Sequence, residues 1–212
     1  MTNPPPRTKQ PTEARQAGLV AAALALAAQR NPADISTTDL ARAVGITQGA
    51  VFRHFPSKDA IWLAVLAWVT GQLIGRLQAA AAGGRADGQD ADPLEALQAV
   101  FIAHVEFVVA HPGVPRVVFQ ELQHPQESAL TLAVRGLMQQ HRSLVMGLLQ
   151  RAQAQSLLAP AIDLPSAAVL YLGAVQGLVM QSLVSGQVQA ITTQAAGVFT
   201  LWLRGVTGET RP

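Results

Sequence analysis

Apolar positions along the chain recur at intervals of three and four, and β-branched runs with period two are scarce, so the pattern predicts helices throughout. Val20, Leu24 and Ala27 share one face of a first helix expected over 12–29, and Asn31-Pro32 ends it, because the residue before proline avoids helical backbone. A short helix is expected over 37–44, with Ser36 or Thr37 as N-cap and Asp39 near its positive end. Gly45 breaks it. Thr47 caps a second short helix closing near Phe55-Pro56, and Ser57 caps a long one over 58–80. The Gly/Asp-rich stretch 81–92 reads as a loop. Asp92-Pro93-Leu94-Glu95 then supplies a cap, a first-turn proline and an acid for a helix reaching His111-Pro112. Helices over 114–123 and 126–155, a turn at 160–165, and helices over 165–184 and 192–206 complete an all-α chain of about nine helices.

Residues 37–55 read TTDLARAVGITQGAVFRHF. Two short helices that cross closely need a small residue in the first, and Ala41 supplies it. The turn between them needs a residue that tolerates positive φ, and Gly45 supplies that. Leu40, Val44, Ile46 and Val51 fall where the shared apolar face belongs, leaving Thr47, Gln48, Gly49, Phe52, Arg53 and His54 outward. Those are the demands of a helix-turn-helix, whose second helix presents its start to the DNA major groove.

This stretch, extended by Pro56-Ser57-Lys58-Asp59, resembles the DNA-binding domain of the TetR family of regulators over about residues 12–66. The resemblance implies an N-terminal three-helix DNA-binding domain over 12–57, preceded by an arm at 1–11 and followed by a helical effector-binding and dimerisation domain over 58–212. It implies a homodimer on a palindromic operator of double-stranded DNA. Thr37 and Thr47 would approach phosphates, Thr47 also capping the recognition helix, and Gln48 and Gly49 would face base edges. Phe52 would touch a thymine methyl or a sugar, Arg53 and His54 would lie beside the backbone, and Lys58 would hold a phosphate at a helix N-terminus. Two positions depart from common family variants. Gln48 stands where lysine or arginine is frequent, although glutamine can still pair with adenine. Phe52 stands where tyrosine is frequent and lacks its hydroxyl. Arg7 and Lys9 could enter a minor groove as a basic arm.

For the remainder the resemblance is architectural: variable helices bind an effector, and the last two long helices form a four-helix dimer interface. The apolar residues of 167–184 surround their helix, and a helix apolar on all sides must be covered on all sides. Interface candidates are Leu170, Gly173, Gly177, Leu178, Leu201 and Trp202, with the two glycines allowing close approach. Effector candidates are Trp62, Leu66, His104, Phe107, Phe119, Met138, His141, Tyr171 and Gln176, a mostly apolar set with a few polar anchors. The expected effector is small and neutral or mostly apolar.

Composition narrows the alternatives. Half the 212 residues are hydrophobic and only 13% are charged, against roughly 25% in an average soluble domain, which implies extensive burial. The net charge is +2, but residues 1–60 carry seven Lys/Arg and four Asp/Glu, so the basic excess lies in the segment that would meet DNA. With no cysteine, disulfides, thiol nucleophiles and Cys-based metal sites are excluded. Glu121 and His124 share Glu-x-x-His spacing, which falls short of the three ligands a helical metal site needs. No cofactor or metal is expected. No apolar signal segment precedes residue 12, and the long apolar stretch 167–184 is broken by Gln176, Gln181 and Ser182 without basic flanks, so a cytoplasmic protein with no membrane span is expected. No catalytic motif stands out, which leaves a small all-α enzyme or a purely protein-binding helical scaffold as the rival readings.

Overall fold

The computed structural model describes residues 12–83 and 92–208. Nine α-helices lie among them: α1 (Thr12–Ala27), α2 (Thr37–Ala43), α3 (Gln48–Phe52), α4 (Lys58–Ala82), α5 (Pro93–Ala110), α6 (Gly113–Leu122), α7 (Ala129–Ala154), α8 (Leu164–Ser185) and α9 (Ala190–Thr207). The all-α expectation holds. The N-terminal arm, Arg7, Lys9 and most of the expected loop at 81–92 lie outside the described residues.

Most helix starts are fixed by side chains that accept the orphan N–H groups of a first turn. Ser36 caps α2 in a reciprocal box with Asp39, Thr47 caps α3, Ser57 caps α4, Asp92 caps α5 and Asp163 caps α8. Several bounds differ from the sequence expectation, and the last helix, expected over 192–206, spans Ala190–Thr207. The helix expected from 126 begins at Ala129, because Ser128 takes the cap and accepts from the Thr131 N–H. A 3-10 turn at Pro32–Asp34, capped by Asn31, fills what looked like plain connection.

α4 is the spine. Its buried face runs from Ile61 to Leu77, and it packs on α1 at one end and on α5 and α7 along its length. At the far end of the molecule, Phe101 of α5, Tyr171 of α8, and Phe199 and Trp202 of α9 form an aromatic cluster with centroid separations of 5.1–6.4 Å. Its polar atoms are satisfied: Tyr171 donates its hydroxyl to the Leu97 carbonyl at 2.7 Å, and the Trp202 indole donates to Ala167 O at 3.1 Å.

α4, α5 and α8 are each long and apolar enough to cross a membrane by length and composition. α4 and α5 spend that apolarity on one another. α8 does so on one side only. Ala167, Ala168, Tyr171, Val175, Leu178 and Val179 face the core, whereas Val169, Leu170, Met180 and Val184 are exposed, Val184 by 78%. Leu201 on α9 is 70% exposed.

Candidate nucleic-acid interface and effector cavity

The α2–α3 pair is built as its sequence requires. Gly45 sits at φ +69°, the left-handed region that disfavours side chains. Leu40, Ala41 and Val51 are buried beneath the crossing, and Phe55 closes the core behind α3. Thr47 Oγ1 accepts from the Ala50 N–H at 3.3 Å. The α2 start is tied to the turn that follows α1 through Asp39, which receives the Ser36 hydroxyl and N–H at 2.6 and 2.9 Å and pairs with Arg30 at 3.1 Å. The Ser36 hydrogen bonds first, and then Arg30, hold the Asp39 carboxyl down at about 2. Gln16 of α1 donates to the His54 carbonyl at 3.1 Å, fastening the end of α3.

With α3 held in this way, Thr47, Gln48, Gly49, Phe52 and Arg53 are exposed, Phe52 by 46%. Thr37 and His54 are half-buried. Gln48 donates its amide to Thr37 Oγ1 at 2.9 Å, so the two expected contact residues already form one polar unit. Lys58 is half-buried and donates to the Ala33 carbonyl at 2.9 Å, which gives its ammonium a structural partner as well as a place near this surface.

The effector candidates divide. His104, Phe119, Met138, His141 and Gln176 line one cavity among α4, α5, α6, α7 and α8. Its volume is about 70 Å³, and its other walls include Leu73, Val118 and Val175. The remaining four candidates belong elsewhere. Leu66 is core. Phe107 is buried against Trp68 and His111. Tyr171 is spent in the aromatic cluster. Trp62 borders a different, polar hollow of about 490 Å³ beside Lys58, Asp59, Glu121 and His124. Large apolar residues at helical spacing satisfy core and cavity patterns equally well, so spacing alone could not sort them.

The interface candidates also divide. Leu170, Gly173, Gly177 and Leu201 lie on the exposed faces of α8 and α9, whereas Leu178 and Trp202 turn into the chain's own core. Leu178 lies one residue round the helix from Gly177, enough to change face, and the Trp202 indole finds its acceptor in α8 of the same chain.

Two residues that the sequence reading did not single out join these regions. Gly113 starts α6 against α1, and a methyl there would overlap the Leu24 carbonyl oxygen and come within 2.9 Å of Ala28 N. Gln120 accepts the Ala33 N–H at 3.0 Å. Nothing local in the sequence marks either residue, because both act on α1 and the turn at 32–34, which are remote along the chain.

Residues 19–65 match the family described as bacterial regulatory proteins, tetR family. That segment, which holds α2 and α3, is a domain of the tetR family of bacterial regulatory proteins. Among curated relatives, the nucleoid occlusion factor SlmA of Actinobacillus pleuropneumoniae serotype 5b (strain L20) is 29% identical over 83 residues, 39% of this chain and 38% of that protein. The match thus spans well under half the length of that relative. The TetR-like fold extends over nearly the whole chain. The fatty acid degradation regulator FadR from Bacillus halodurans superposes with a TM-score of 0.75 at 16% identity, covering 93% of this chain and 97% of that one. The transcriptional regulator FadR from Bacillus subtilis, solved in complex with stearoyl-CoA, gives 0.74 at 16% identity, covering 90% and 98%.

Proposed function

We propose that this chain is a TetR-family regulator, a cytoplasmic repressor that binds a palindromic operator as a homodimer and is released by a small, mostly apolar effector. The observation that carries the proposal is α3. It is anchored by Val51, capped by Thr47, entered through a positive-φ glycine, and leaves Gln48, Gly49, Phe52 and Arg53 free of the core. In this reading Gln48 reads a base edge, Phe52 makes apolar contact with a thymine methyl or a sugar, and Thr37, Thr47, Arg53, His54 and Lys58 approach phosphates.

Pairing follows from solvent free energy. The exposed strip of Val169, Leu170, Met180 and Val184, continued by Leu201, is apolar surface that a second copy would cover. Gly173 and Gly177 within the strip present no side chain to hold the two helices apart. A symmetric pair sets its recognition helices about 34–36 Å apart, one turn of DNA.

Release would run through α6. Val118 faces the cavity while Gly113 and Gln120 hold α1 and the turn at residues 32–34, so one rigid helix touches both regions. A ligand that prefers a wider cavity shifts α6, and through it the spacing of the two α3 helices, in proportion to its differential affinity for the two arrangements. The stearoyl-CoA held by the structurally similar Bacillus subtilis regulator supports a lipophilic effector.

Selection of bound DNA from a random pool, followed by fluorescence anisotropy on the selected site, tests the proposal. It expects a palindrome with half-sites one turn apart, and a salt slope that falls by about one per subunit in Arg53→Ala. A non-palindromic consensus, or an affinity and slope untouched by that change, would count against it.

A further inference from the structure

The effector cavity holds two histidines with unmet hydrogen-bonding capacity. His104 of α5 and His141 of α7 meet with ring centroids 4.8 Å apart at 65°, and both line the cavity wall. His104 Nδ1 and His141 Nε2 are buried and find no hydrogen-bond partner, although His141 is only 4% exposed. An imidazole nitrogen removed from water without a partner is destabilising, so such a group in a native fold needs a reason. Burial lowers both rings, His104 to about 3 with the neighbouring His141 adding to the effect, and His141 to about 4. Both rings are therefore neutral at physiological pH, each with one N–H donor and one acceptor nitrogen, and one nitrogen of each is without a partner.

The rest of the wall decides what could satisfy them. Among the described residues that line the cavity, none is Asp, Glu, Lys or Arg, and the polar residue besides the histidines is Gln176. An anionic head group would thus be buried without a cation, or would have to protonate an imidazole whose surroundings oppose it. A hydroxyl has no such difficulty, because it can donate to the bare nitrogen of one ring and accept from the N–H of the other. A carbonyl oxygen can only accept, so it satisfies half of that arrangement. At about 70 Å³ the cavity admits a head group rather than a whole effector. Leu122, which lines it and is 48% exposed, marks where an apolar tail would leave between α6 and α7.

We propose that the His104–His141 pair is the polar recognition element of the effector site, and that it selects an uncharged lipophilic molecule carrying a hydroxyl over the corresponding carboxylate. The proposal rests on the reading of this cavity as the effector site and gives that site a chemical class.

The test is calorimetric titration of the full chain at pH 7.5 with 1-octanol, 2-octanone and octanoate, which share a tail length and differ in the head. The alcohol should bind about tenfold or more tighter than octanoate, with the ketone between them. Octanol should also move the ¹⁵N resonances of His104 Nδ1 and His141 Nε2. In His104→Phe/His141→Phe, with operator affinity as the control for folding, the advantage of the alcohol should disappear. If that variant does not fold, the wild-type order and the ¹⁵N shifts decide. Octanoate binding as tightly as octanol, an advantage that survives in the double variant, or no binding of any of the three would overturn the proposal; the last result would mean that the two rings merely pack against each other. Operator binding is measured separately, so its failure would sink the regulator reading without deciding the head-group order.

Discussion

α3 and α8 are both exposed helices, and they solve opposite problems. α3 is five residues long, buries only Val51, and depends on the Thr47 cap and the Gln16 hydrogen bond at its two ends. Apart from Phe52, the surface that it shows with its flanking residues is Thr47, Gln48, Gly49 and Arg53, with little apolar area to cover, so it can stay open and still meet an anion. α8 is 22 residues long, buries a full face, and shows apolar side chains on the other. Water disfavours that second face until something covers it. The contrast assigns a reversible partner to the first helix and a lasting one to the second. It also says how each should fail: α3 through loss of positioning or charge, α8 through addition of charge.

The largest expected effect comes from making α8 and α9 resemble α3. Val184→Glu combined with Leu201→Glu places carboxylates on the strip that a second copy would cover. Sedimentation at micromolar concentration should shift from dimer to monomer, and operator affinity should fall by about a hundredfold or more as two-point attachment is lost. Gln48→Ala, by contrast, should leave the dimer intact and relax base preference at one position, by about tenfold. A dimer that survives both glutamates would refute the difference between the two surfaces.

Next in size is the joint between the two regions. Gly113→Ala forces a methyl into the backbone of α1, where no flexible side chain can yield. A loss of about 3 kcal/mol in denaturant unfolding is expected, together with weaker operator binding because α1 and α6 part. Gly173→Ala, in open space in the single chain, should leave the unfolding of each subunit nearly unchanged and act on dimer affinity instead.

How much of this was written in the sequence follows the same division. The α2–α3 unit was legible because its requirements are local: Ala41, Gly45, Thr47 and the HFPSK ending act within a few residues of themselves. The exposed α8 face was legible as apolarity on every side of a helix. Which of those residues faces the chain's own core was not, since Leu178 and Gly177 differ by one step round a helix, and only the position of α5 and α9 decides between them. The effector candidates divided for the same reason, five lining the cavity and four lying elsewhere. Tyr171 and His141 look alike as polar-tipped apolar residues, yet one hydroxyl meets Leu97 O and one imidazole nitrogen meets nothing. The α6 joint was hidden because Gly113 matters through a backbone that is remote in sequence.

Acid should separate the two regions next. His104 and His141 lie below the ordinary value of 6.5, at about 3 and about 4, so the unfolded chain binds more protons than the folded one between about pH 6.5 and 4. Stability is complete above pH 6.5 and falls as pH drops through that window, by about 1.4 kcal/mol for each histidine at pH 5.5. Asp39 at the α2 cap, held at about 2, stays ionised throughout. Wild type should therefore lose thermal stability between pH 7.5 and 5.5, and the double phenylalanine variant should lose much less. Equal losses would place the acid-sensitive groups elsewhere.

The smallest effect concerns the polar hollow where α4, α6 and the start of α7 converge. Glu121 is buried there, and burial, with Asp59 adding repulsion, raises its carboxyl while His124 partly opposes the shift. A carboxyl raised in the fold favours folding below its ordinary value, and that contribution is lost as pH rises through the shifted one. At pH 7.5 the ionised Glu121 is thus a mild liability that glutamine would not share. Glu121→Gln should raise Tm by about 2 °C at pH 7.5, and the gain should vanish near pH 4, where the wild-type carboxyl is itself protonated. Operator affinity should stay within about twofold of wild type, because the residues that fasten α6 to the N-terminal region are Gly113 and Gln120. A Tm that falls instead would mean that the Glu121 carboxylate makes a stabilising contact in this hollow, and the joint would then rest on charge as well as on close packing.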